Sequence, residues 1–247
     1  MTFTKEQYDL VKKQLHAHQR ESGIRNIILD ENTDISLDLL IERGVFGSDI
    51  ITTASHLARF LYEHQELYSG KDVADIGCGP GTQGIVMSKY GAKFIAFADI
   101  NPKAVANTQK NIIQHKLANA EVYQSDLFNG LPKNRIYDVV LFNHPFFSEE
   151  PEKFEGDPNQ DEMLRRSMLG GTELLQRFFK EIPQCLKEDG VIIMPYFHFA
   201  GKENDPANHV EKYKLKISQE HKVESKQGLH LGDVSIYVLS RDGGNPQ

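Results

Sequence analysis

Residues 73–81 of the chain read Val-Ala-Asp-Ile-Gly-Cys-Gly-Pro-Gly, a short apolar run that ends in a glycine-rich segment. The run has the length and composition of a buried strand. Because glycine lacks a Cβ, residues 77–81 can turn sharply and bring their backbone close to a ligand at the start of a helix. The stretch therefore predicts a strand, a binding loop and a helix over 82–90.

Strand-like and helix-like patterns alternate after this unit. Runs with the length of strands stand at 94–98, 120–124, 137–142 and 191–194, and all but the weaker one at 120–124 are strongly apolar. Between the first two runs, Asn101-Pro102 supplies an N-cap and a first-turn proline for a helix. Uninterrupted apolar strands separated by helices predict a mostly parallel sheet that is covered on both faces.

The carboxyl-terminal third of the chain contains a helix with an irregular pattern and two weaker strands. Apolar residues recur at helical spacing over 175–186, which predicts a helix that ends near Gly190 and is kinked by Pro183. Apolar and polar residues alternate over 213–217 and 234–238. We expect these two segments to be strands at one edge of the sheet, one of them antiparallel.

The first 50 residues have a pattern of their own. Thr4 and Gln7 have the spacing of a capping box, which predicts a helix, and residues 24–29 have the character of a short strand. We therefore divide the chain into an N-terminal helical appendage (1–50), suited to docking a substrate or partner, and a main domain (51–247). The expected fold class is α/β: a Rossmann-like sheet of seven mostly parallel strands with an antiparallel edge strand.

Composition excludes several classes of protein. With 247 residues, of which 39% are hydrophobic and 26% charged, the chain is neither disordered nor collagen-like. The N-terminus lacks the apolar core of a signal peptide and no run approaches the roughly 18 apolar residues that cross a bilayer, so we expect a cytoplasmic protein without a membrane partner.

Cys78 and Cys185 form no CxxC pair, so reduced thiols and no metal site are expected. A net charge of -7 disfavours strong nonspecific binding of nucleic acid.

Polar residues gather where three predicted strands end, which is where parallel sheets bind their ligands. At the end of the second strand, the Asp99 carboxylate can accept hydrogen bonds from both hydroxyls of a ribose. After the third strand, Asp126 can accept one from the amino group of adenine. Residues 79–84 also match the dinucleotide motif GxGxxG, but Asp75 before the loop argues against a pyrophosphate and hence against NAD. The alternative is that these glycines only form a turn and bind no ligand.

Four segments together carry a resemblance to a known family: DIGCGPG (75–81), FADINPKAVANTQKN (97–111), SDLF (125–128) and YDVVLFNHPFF (137–147). Over about residues 50–200 the chain resembles the class I S-adenosylmethionine-dependent methyltransferases. It is most similar to the group with an Asn-Pro-Pro-Tyr/Phe motif after the fourth strand. That group includes release-factor glutamine methyltransferases and small-domain methyltransferases that act on exocyclic amino groups of RNA bases.

The resemblance implies S-adenosylmethionine as the cofactor and assigns roles to individual residues. Gly77 and Gly79 would lie against its methionine portion, Asp99 on its ribose and Asp126 beside its adenine. The cofactor-binding residues predicted in full are Asp75, Gly77, Cys78, Gly79, Gly81, Asp99, Ile100, Asp126, Leu127 and Asn143. The predicted catalytic residues are Asn143, His144, Pro145 and Phe146, with His144 standing where the group has its first proline.

The segment 143–146 also has a chemical interpretation of its own. The lone pair of an amide or aromatic amine nitrogen is delocalised, so such a nitrogen is a poor nucleophile until it is held in a suitable geometry. The Asn143 side-chain oxygen and the His144 carbonyl can accept its two N–H bonds while Phe146 stacks on the acceptor plane. Orientation can supply about 7–11 kcal/mol, against about 3–5 kcal/mol for general acid–base assistance. The reference pKa of histidine, about 6.5, is too low for His144 to deprotonate an amide.

The resulting hypothesis is an S-adenosylmethionine-dependent N-methyltransferase for a planar amide or exocyclic amino nitrogen. Because of the chain's negative charge, a protein glutamine is slightly favoured over a nucleobase. The alternatives are a small-molecule N- or O-methyltransferase and a noncatalytic module that binds the cofactor. A turn without function is the alternative for 143–145. Residues 147–171 are either a lid over the acceptor or a solvated loop.

Overall fold

The computed structural model describes residues 3–50, 52–149, 161–223 and 233–243. Helix α1 (Lys5–Ala17) begins at Thr4, whose hydroxyl accepts from the Gln7 backbone while the Gln7 side chain accepts from the Thr4 backbone, so the predicted capping box is confirmed. Strands β1 (Gly23–Asp30) and β2 (Ile35–Ile41) then form an antiparallel hairpin. The appendage is therefore a helix and a hairpin rather than a helical segment alone.

The main sheet contains seven strands in the order β5-β4-β3-β6-β7-β9-β8. Their bounds are β3 Asp72–Ile76, β4 Phe94–Asp99, β5 Ala120–Gln124, β6 Tyr137–Phe142, β7 Leu186–Phe197, β8 Leu215–Val223 and β9 Val234–Arg241. The first five strands of the sheet pair in parallel, while β9 is antiparallel to both β7 and β8. The expected fold class is thus confirmed, with the reversed strand second from the edge.

Helices cover both faces of the sheet. They are α2 Thr52–Glu63, α3 Thr82–Lys89, α4 Pro102–Gln114, α5 Glu162–Arg166 and α6 Gly171–Glu181. Helix α4 has Asn101 as its N-cap and proline in its first turn, as predicted. None of the helices in the described ranges combines the length and apolar character needed to cross a bilayer.

The helix predicted over residues 175–190 is present, but its predicted end was wrong. Helix α6 ends at Glu181, residues 182–184 form a short 3₁₀ turn that contains Pro183, and Leu186 already belongs to β7. Proline lacks the N–H that a helix interior needs, and its ring clashes with the carbonyl four residues earlier. Pro183 therefore ends the helix rather than kinking it. The strand predicted at 191–194 is the centre of a longer strand.

The core has two main layers and one smaller cluster. On one face of the sheet, α2 and α3 pack together with hairpin residues such as Leu29 and Leu39. On the other face, α6 packs through Leu175 and Phe178. Helix α1 contributes to a separate cluster formed by Val11, Leu15, Phe147, Leu164, Met168 and Leu169. The first 50 residues thus share buried contacts with the rest of the chain, and the division at residue 50 stays a prediction.

The position of the ligand site follows from the strand order. From β3 the chain runs outward through β4 and β5, and then returns to the other side of β3 with β6. At such a reversal the loops after the two central strands diverge and leave a crevice. Ile76 and Phe142 pair directly at the ends of β3 and β6, so the glycine loop and the segment 143–146 begin side by side.

Candidate active site

The glycine loop after β3 takes backbone conformations that favour glycine. Gly77, Gly79 and Gly81 have φ values of 65°, 57° and 87°, in the left-handed region where a Cβ is strained. Helix α4 holds the loop from one side, because Thr108 Oγ1 donates to the Gly79 carbonyl at 2.8 Å and Asn111 Nδ2 donates to the Pro80 carbonyl at 2.8 Å. The loop is therefore fixed in place before any ligand binds.

Asp99, at the end of β4, lies beside this loop. Its carboxylate accepts hydrogen bonds from the backbone N–H of Gly79 at 2.8 Å and of Asn101 at 2.8 Å. A carboxylate has about four acceptor sites, so acceptor capacity remains for another donor even when the Ile100 N–H is included. Burial raises the pKa of Asp99 above its usual value, while the backbone N–H donors oppose this shift.

Asp75 lies beneath the loop rather than in the crevice. It is buried, and its Oδ2 accepts from the backbone N–H of Gly84 in the first turn of α3 at 2.9 Å. Burial raises the pKa of this carboxyl to about 7. Asp75 and Gly81 are absent from the lining of the cavity described below. Both hold the start of α3, since Gly81 is its N-cap residue.

Cys78 occupies the centre of the loop and is buried. Its Sγ lies 3.6 Å from Thr108 Oγ1, and burial raises the pKa of its thiol well above the usual value. Neither Cys78 nor Cys185 forms a disulfide. Among the described residues no group of three or more histidine, cysteine or acidic side chains could hold a metal ion.

Asp126 and Leu127 follow β5 on the far side of β4. Leu127 has a φ of 49°, and Asp126 Oδ2 accepts from Arg177 of α6 at 2.9 Å. The carboxylate predicted to lie beside adenine is therefore already ion-paired. Arg177 was not predicted as a site residue, because it lies 51 residues from Asp126 and its helix shows only an apolar pattern in the sequence.

The segment 143–146 follows β6. Asn143 is half-buried, and its side-chain amide has no hydrogen-bond partner among the described residues. The His144 ring is buried and stacks on Tyr196, with centroids 6.0 Å apart and planes at 13°. Phe146 meets the His144 ring edge-on at 5.3 Å. The segment therefore presents a free carboxamide beside a tightly packed aromatic group.

His144 Nε2 lies 3.0 Å from the backbone carbonyl of Asn204. Because a carbonyl only accepts, Nε2 carries the proton and Nδ1 is left with a bare lone pair. Burial lowers the pKa of His144 to about 4, so the ring is neutral at neutral pH. Asn204 was not predicted either, since nothing in the sequence of its loop connects it with residue 144.

A cavity of about 750 Å³ joins these elements. Of the residues predicted from sequence, those that line it are Gly77, Cys78, Gly79, Asp99, Ile100, Asp126, Leu127, Asn143, His144, Pro145 and Phe146. Its volume falls within the range of small-molecule and cofactor sites. The structure thus brings the three strand ends and the acceptor segment into one space.

The appendage forms a further wall of the cavity. Helix α1 presents Leu10, Lys13, Gln14 and Ala17 to it, at the spacing of one helical face. Phe46 and Ser48, from the segment between β2 and α2, also line it. Residues 150–160 of the proposed lid lie outside the described residues, whereas Met163, Leu164 and Ser167 line the cavity.

Comparison with known proteins agrees with this geometry. A family model described as the methyltransferase small domain matches residues 36–156. A protein of Methanocaldococcus jannaschii, assigned as a protein N5-glutamine methyltransferase, is 36% identical over 161 residues, which cover 62% of this chain and 76% of that relative.

Two solved structures share the fold. A ribosomal protein L11 methylase from Lactobacillus delbrueckii subsp. bulgaricus aligns with a TM-score of 0.57 and 17% identity, over 81% of this chain and 83% of that chain. The 16S rRNA N2 G1207 methyltransferase of T. thermophilus, in complex with AdoMet and guanosine, aligns with a TM-score of 0.59 and 16% identity, over 90% of this chain and 50% of that chain.

The sheet order and the crevice at its reversal define a Rossmann-like class I methyltransferase fold. On the match to the small-domain model and to the archaeal relative, the chain belongs to the methyltransferase small-domain family. It is an S-adenosylmethionine-dependent methyltransferase.

The cavity lining fits this cofactor. Asp99 has unused acceptor sites for ribose hydroxyls, and Ile100, which is 43% exposed, offers an apolar surface to a planar base. At Gly77 a Cβ would project towards the Phe142 ring at 3.5 Å and take up space in the crevice. When bound, the cofactor supplies an electrophilic methyl group on a sulfonium.

Proposed function

We propose that the protein transfers the methyl group to a planar nitrogen, with the carboxamide of a protein glutamine as the favoured acceptor. The observation that carries this proposal is the free side-chain amide of Asn143 at the cavity wall next to the glycine loop. Its oxygen can accept one N–H of the acceptor, and the His144 backbone carbonyl the other. Phe146, half-buried at the same wall, can stack on the acceptor plane.

In this proposal the acceptor nitrogen is activated by orientation. With both N–H bonds held by carbonyl oxygens, the lone pair is directed out of the amide plane towards the methyl group. His144 is a poor base, because burial lowers the pKa of its ring to about 4 and the one nitrogen without a proton, Nδ1, is buried. The proton of the methylated nitrogen therefore leaves to solvent after transfer rather than to this ring.

For the cofactor side, we propose that Asp99 binds the ribose and that the backbone of Gly77 and Gly79 faces the methionine portion. Ile100 and Leu127 would enclose the adenine, since both line the cavity next to Asp99 and Asp126. Asp126 could reach the adenine amino group through an oxygen that Arg177 leaves free. Asp75 and Gly81 would support the loop from below, and Cys78 would complete its packing.

The favoured acceptor rests on two observations. The archaeal relative carries the assignment of a protein N5-glutamine methyltransferase, and the chain has a net charge of -7. A nucleobase is the alternative within the same chemistry, because an exocyclic amino group presents the same planar NH₂. We propose that the appendage selects the acceptor, since α1 forms one wall of the cavity.

A labelling experiment tests the proposed function. The purified protein is incubated with tritiated S-adenosylmethionine and a whole-cell extract, which is then separated into protein, RNA and small metabolites. We expect label in the protein fraction, released as methylamine on acid hydrolysis, because hydrolysis of an N-methyl carboxamide yields that amine. The control is Asn143→Ala, which should bind the cofactor normally and transfer little label.

The outcomes of this experiment separate the alternatives. Label in RNA would contradict a glutamine acceptor and support a nucleobase, and the binding of that RNA should weaken steeply with salt. Label among the metabolites would support a small-molecule methyltransferase. No transfer to any fraction, with normal cofactor binding, would support the noncatalytic module.

A further inference from the structure

Asn204, in the loop after β7, contacts the acceptor segment at two points. Its backbone carbonyl accepts from His144 Nε2 at 3.0 Å, and its side-chain Nδ2 donates to the Phe146 carbonyl at 3.0 Å. His144 and Asn204 are both only 1% exposed. The two hydrogen bonds, which we call the Asn204 bracket, enclose Pro145 from either side.

The donors and acceptors of the bracket can be assigned without ambiguity. The Phe146 carbonyl only accepts, so the amide nitrogen of Asn204 must face it. Among the described residues, Asn204 Oδ1 and His144 Nδ1 have no hydrogen-bond partner.

The bracket is itself rigidly supported. The Tyr196 hydroxyl donates to the Gly201 carbonyl at 3.0 Å and holds the beginning of the loop. On the opposite side, the start of α6 presses on the segment, since a Cβ at Gly171 would lie 2.0 Å from the Pro145 carbonyl oxygen. The backbone N–H of Gly171 also donates to the Phe147 carbonyl at 3.0 Å. Motion of the bracket would therefore disturb several packed elements at once.

The segment needs such a restraint because His144 does not constrain its own backbone. A proline at this position would fix φ through its ring, whereas histidine leaves that rotation free. The side chain of His144, anchored to Asn204, restricts it instead. Asn143 precedes this peptide, so the direction of its carboxamide depends on the same restraint.

We propose that Asn204 is a positioning residue for methyl transfer. Through its hydrogen bonds to His144 and Phe146, it keeps the Asn143 carboxamide and the His144 carbonyl in the orientation that binds the acceptor nitrogen. The inference rests on the proposed function, because it assumes that these two oxygens hold the acceptor nitrogen. It adds a residue outside the segment 143–146 to the machinery.

The kinetic test compares Asn204→Ala with Asn208→Ala. Asn208 belongs to the same loop and also donates from its amide to a backbone carbonyl, that of Lys202 at 2.8 Å, but it is exposed. The acceptor is the extract fraction that takes up label from the wild-type protein. Misplacement of a reacting group by about 1 Å can cost about 100-fold in rate. We expect Asn204→Ala to lower kcat by about 10- to 100-fold, with acceptor KM and S-adenosylhomocysteine Kd within about threefold, and Asn208→Ala to change none of them.

A second pair of variants tests the other bond of the bracket. His144→Gln keeps an N–H donor near the position of Nε2, while His144→Phe keeps the ring and loses the donor. We expect the glutamine variant to recover at least part of the turnover that the phenylalanine variant loses. Equal kcat for wild type and Asn204→Ala, or a parallel loss of kcat, cofactor affinity and thermal stability in all three variants, would overturn the proposal.

A spectroscopic measurement keeps this test separate from the proposed function. In ¹⁵N spectra at neutral pH, His144 should show a protonated Nε2 and a bare Nδ1. The Asn143 side-chain amide signals should broaden or split in Asn204→Ala but not in Asn208→Ala. If the wild-type protein transfers no label, the proposed function fails. Unchanged Asn143 signals in Asn204→Ala would overturn the positioning role whatever the acceptor is.

Discussion

We call the glycine loop with Asp99 the cofactor wall of the cavity, and the segment 143–146 with Asn204 the acceptor wall. The two walls differ in how far apart in sequence their hydrogen-bonded residues lie. Around the glycine loop, Gly79 and Pro80 are held by Asp99, Thr108 and Asn111, at separations of 20, 29 and 31 residues. Across the cavity, the hydrogen bonds that join Asn204 to the Phe146 carbonyl and to the His144 ring span 58 and 60 residues. The ion pair between Arg177 and Asp126, which joins the two walls, spans 51 residues. The hydrogen bonds of the cofactor wall thus form within the continuous stretch from β3 to α4. Those of the acceptor wall connect segments that meet only in the complete fold.

This difference predicts that substitutions in the two walls affect different quantities. Changes in the cofactor wall should weaken cofactor binding directly. Changes in the acceptor wall should leave cofactor binding intact and lower turnover.

The largest effect is expected from Asp99→Ala. The substitution removes the proposed ribose contact and leaves the Gly79 N–H without its acceptor. A hydrogen bond to a charged group contributes about 1.5–3 kcal/mol, so the loss of two such bonds should weaken the binding of S-adenosylhomocysteine by at least about 100-fold. Calorimetry measures this directly, and an unchanged Kd would contradict the assigned contact.

Asn143→Ala should have the complementary effect. Loss of one preorganised hydrogen-bonding group in an active site typically costs about 10²–10³ in kcat. We expect a fall of that size in methyl transfer, with the Kd of S-adenosylhomocysteine within twofold of wild type. A strong loss of cofactor binding would show that Asn143 belongs to the cofactor wall instead.

Asp75→Asn tests the buried carboxyl beneath the glycine loop through the pH dependence of folding stability. Because the pKa of Asp75 is raised to about 7 in the folded protein, the native state holds a proton that the unfolded state releases near pH 4. Wild-type stability should therefore fall as the pH rises from about 4 to 7, by about 2 kcal/mol between pH 5 and 7 from this group.

In Asp75→Asn the side chain is neutral at every pH and can still accept from Gly84. The difference in urea stability between the variant and the wild type should thus shift in favour of the variant as the pH rises. A difference that stays constant from pH 5 to 7 would show that Asp75 is ionised in the native protein.

The smallest effect is expected at the contact between the two walls. Asp126 and Arg177 form a half-exposed ion pair, and such pairs contribute about 0–1 kcal/mol. We expect Asp126→Asn to weaken S-adenosylhomocysteine binding by less than about tenfold and to leave the fold intact. Calorimetry can again decide, and a loss as large as that of Asp99→Ala would mean that Asp126 is a principal adenine contact.

The site features that could be predicted from sequence belong mainly to the cofactor wall. The glycine turn after β3, the Asn101 cap and the position of Asp99 at the end of β4 could be predicted because each depends on a short stretch of sequence. The second hairpin strand was missed, although Leu37, Leu39 and Ile41 alternate with polar neighbours in part, and the end of α6 was misplaced. Asn204, Arg177 and the cavity face of α1 could not be found, because their roles depend on contacts that only tertiary packing creates.

The place of β9 has a consequence for biosynthesis. Among the described strands this one comes last in sequence, yet it lies between β7 and β8 and pairs with both. During translation β8 therefore leaves the ribosome before its partner in the sheet exists, and β7 keeps an open edge for the same interval. Unpaired strand edges promote association between chains, so a nascent or shortened chain that lacks residues 234–241 should depend on chaperones far more than the finished protein does.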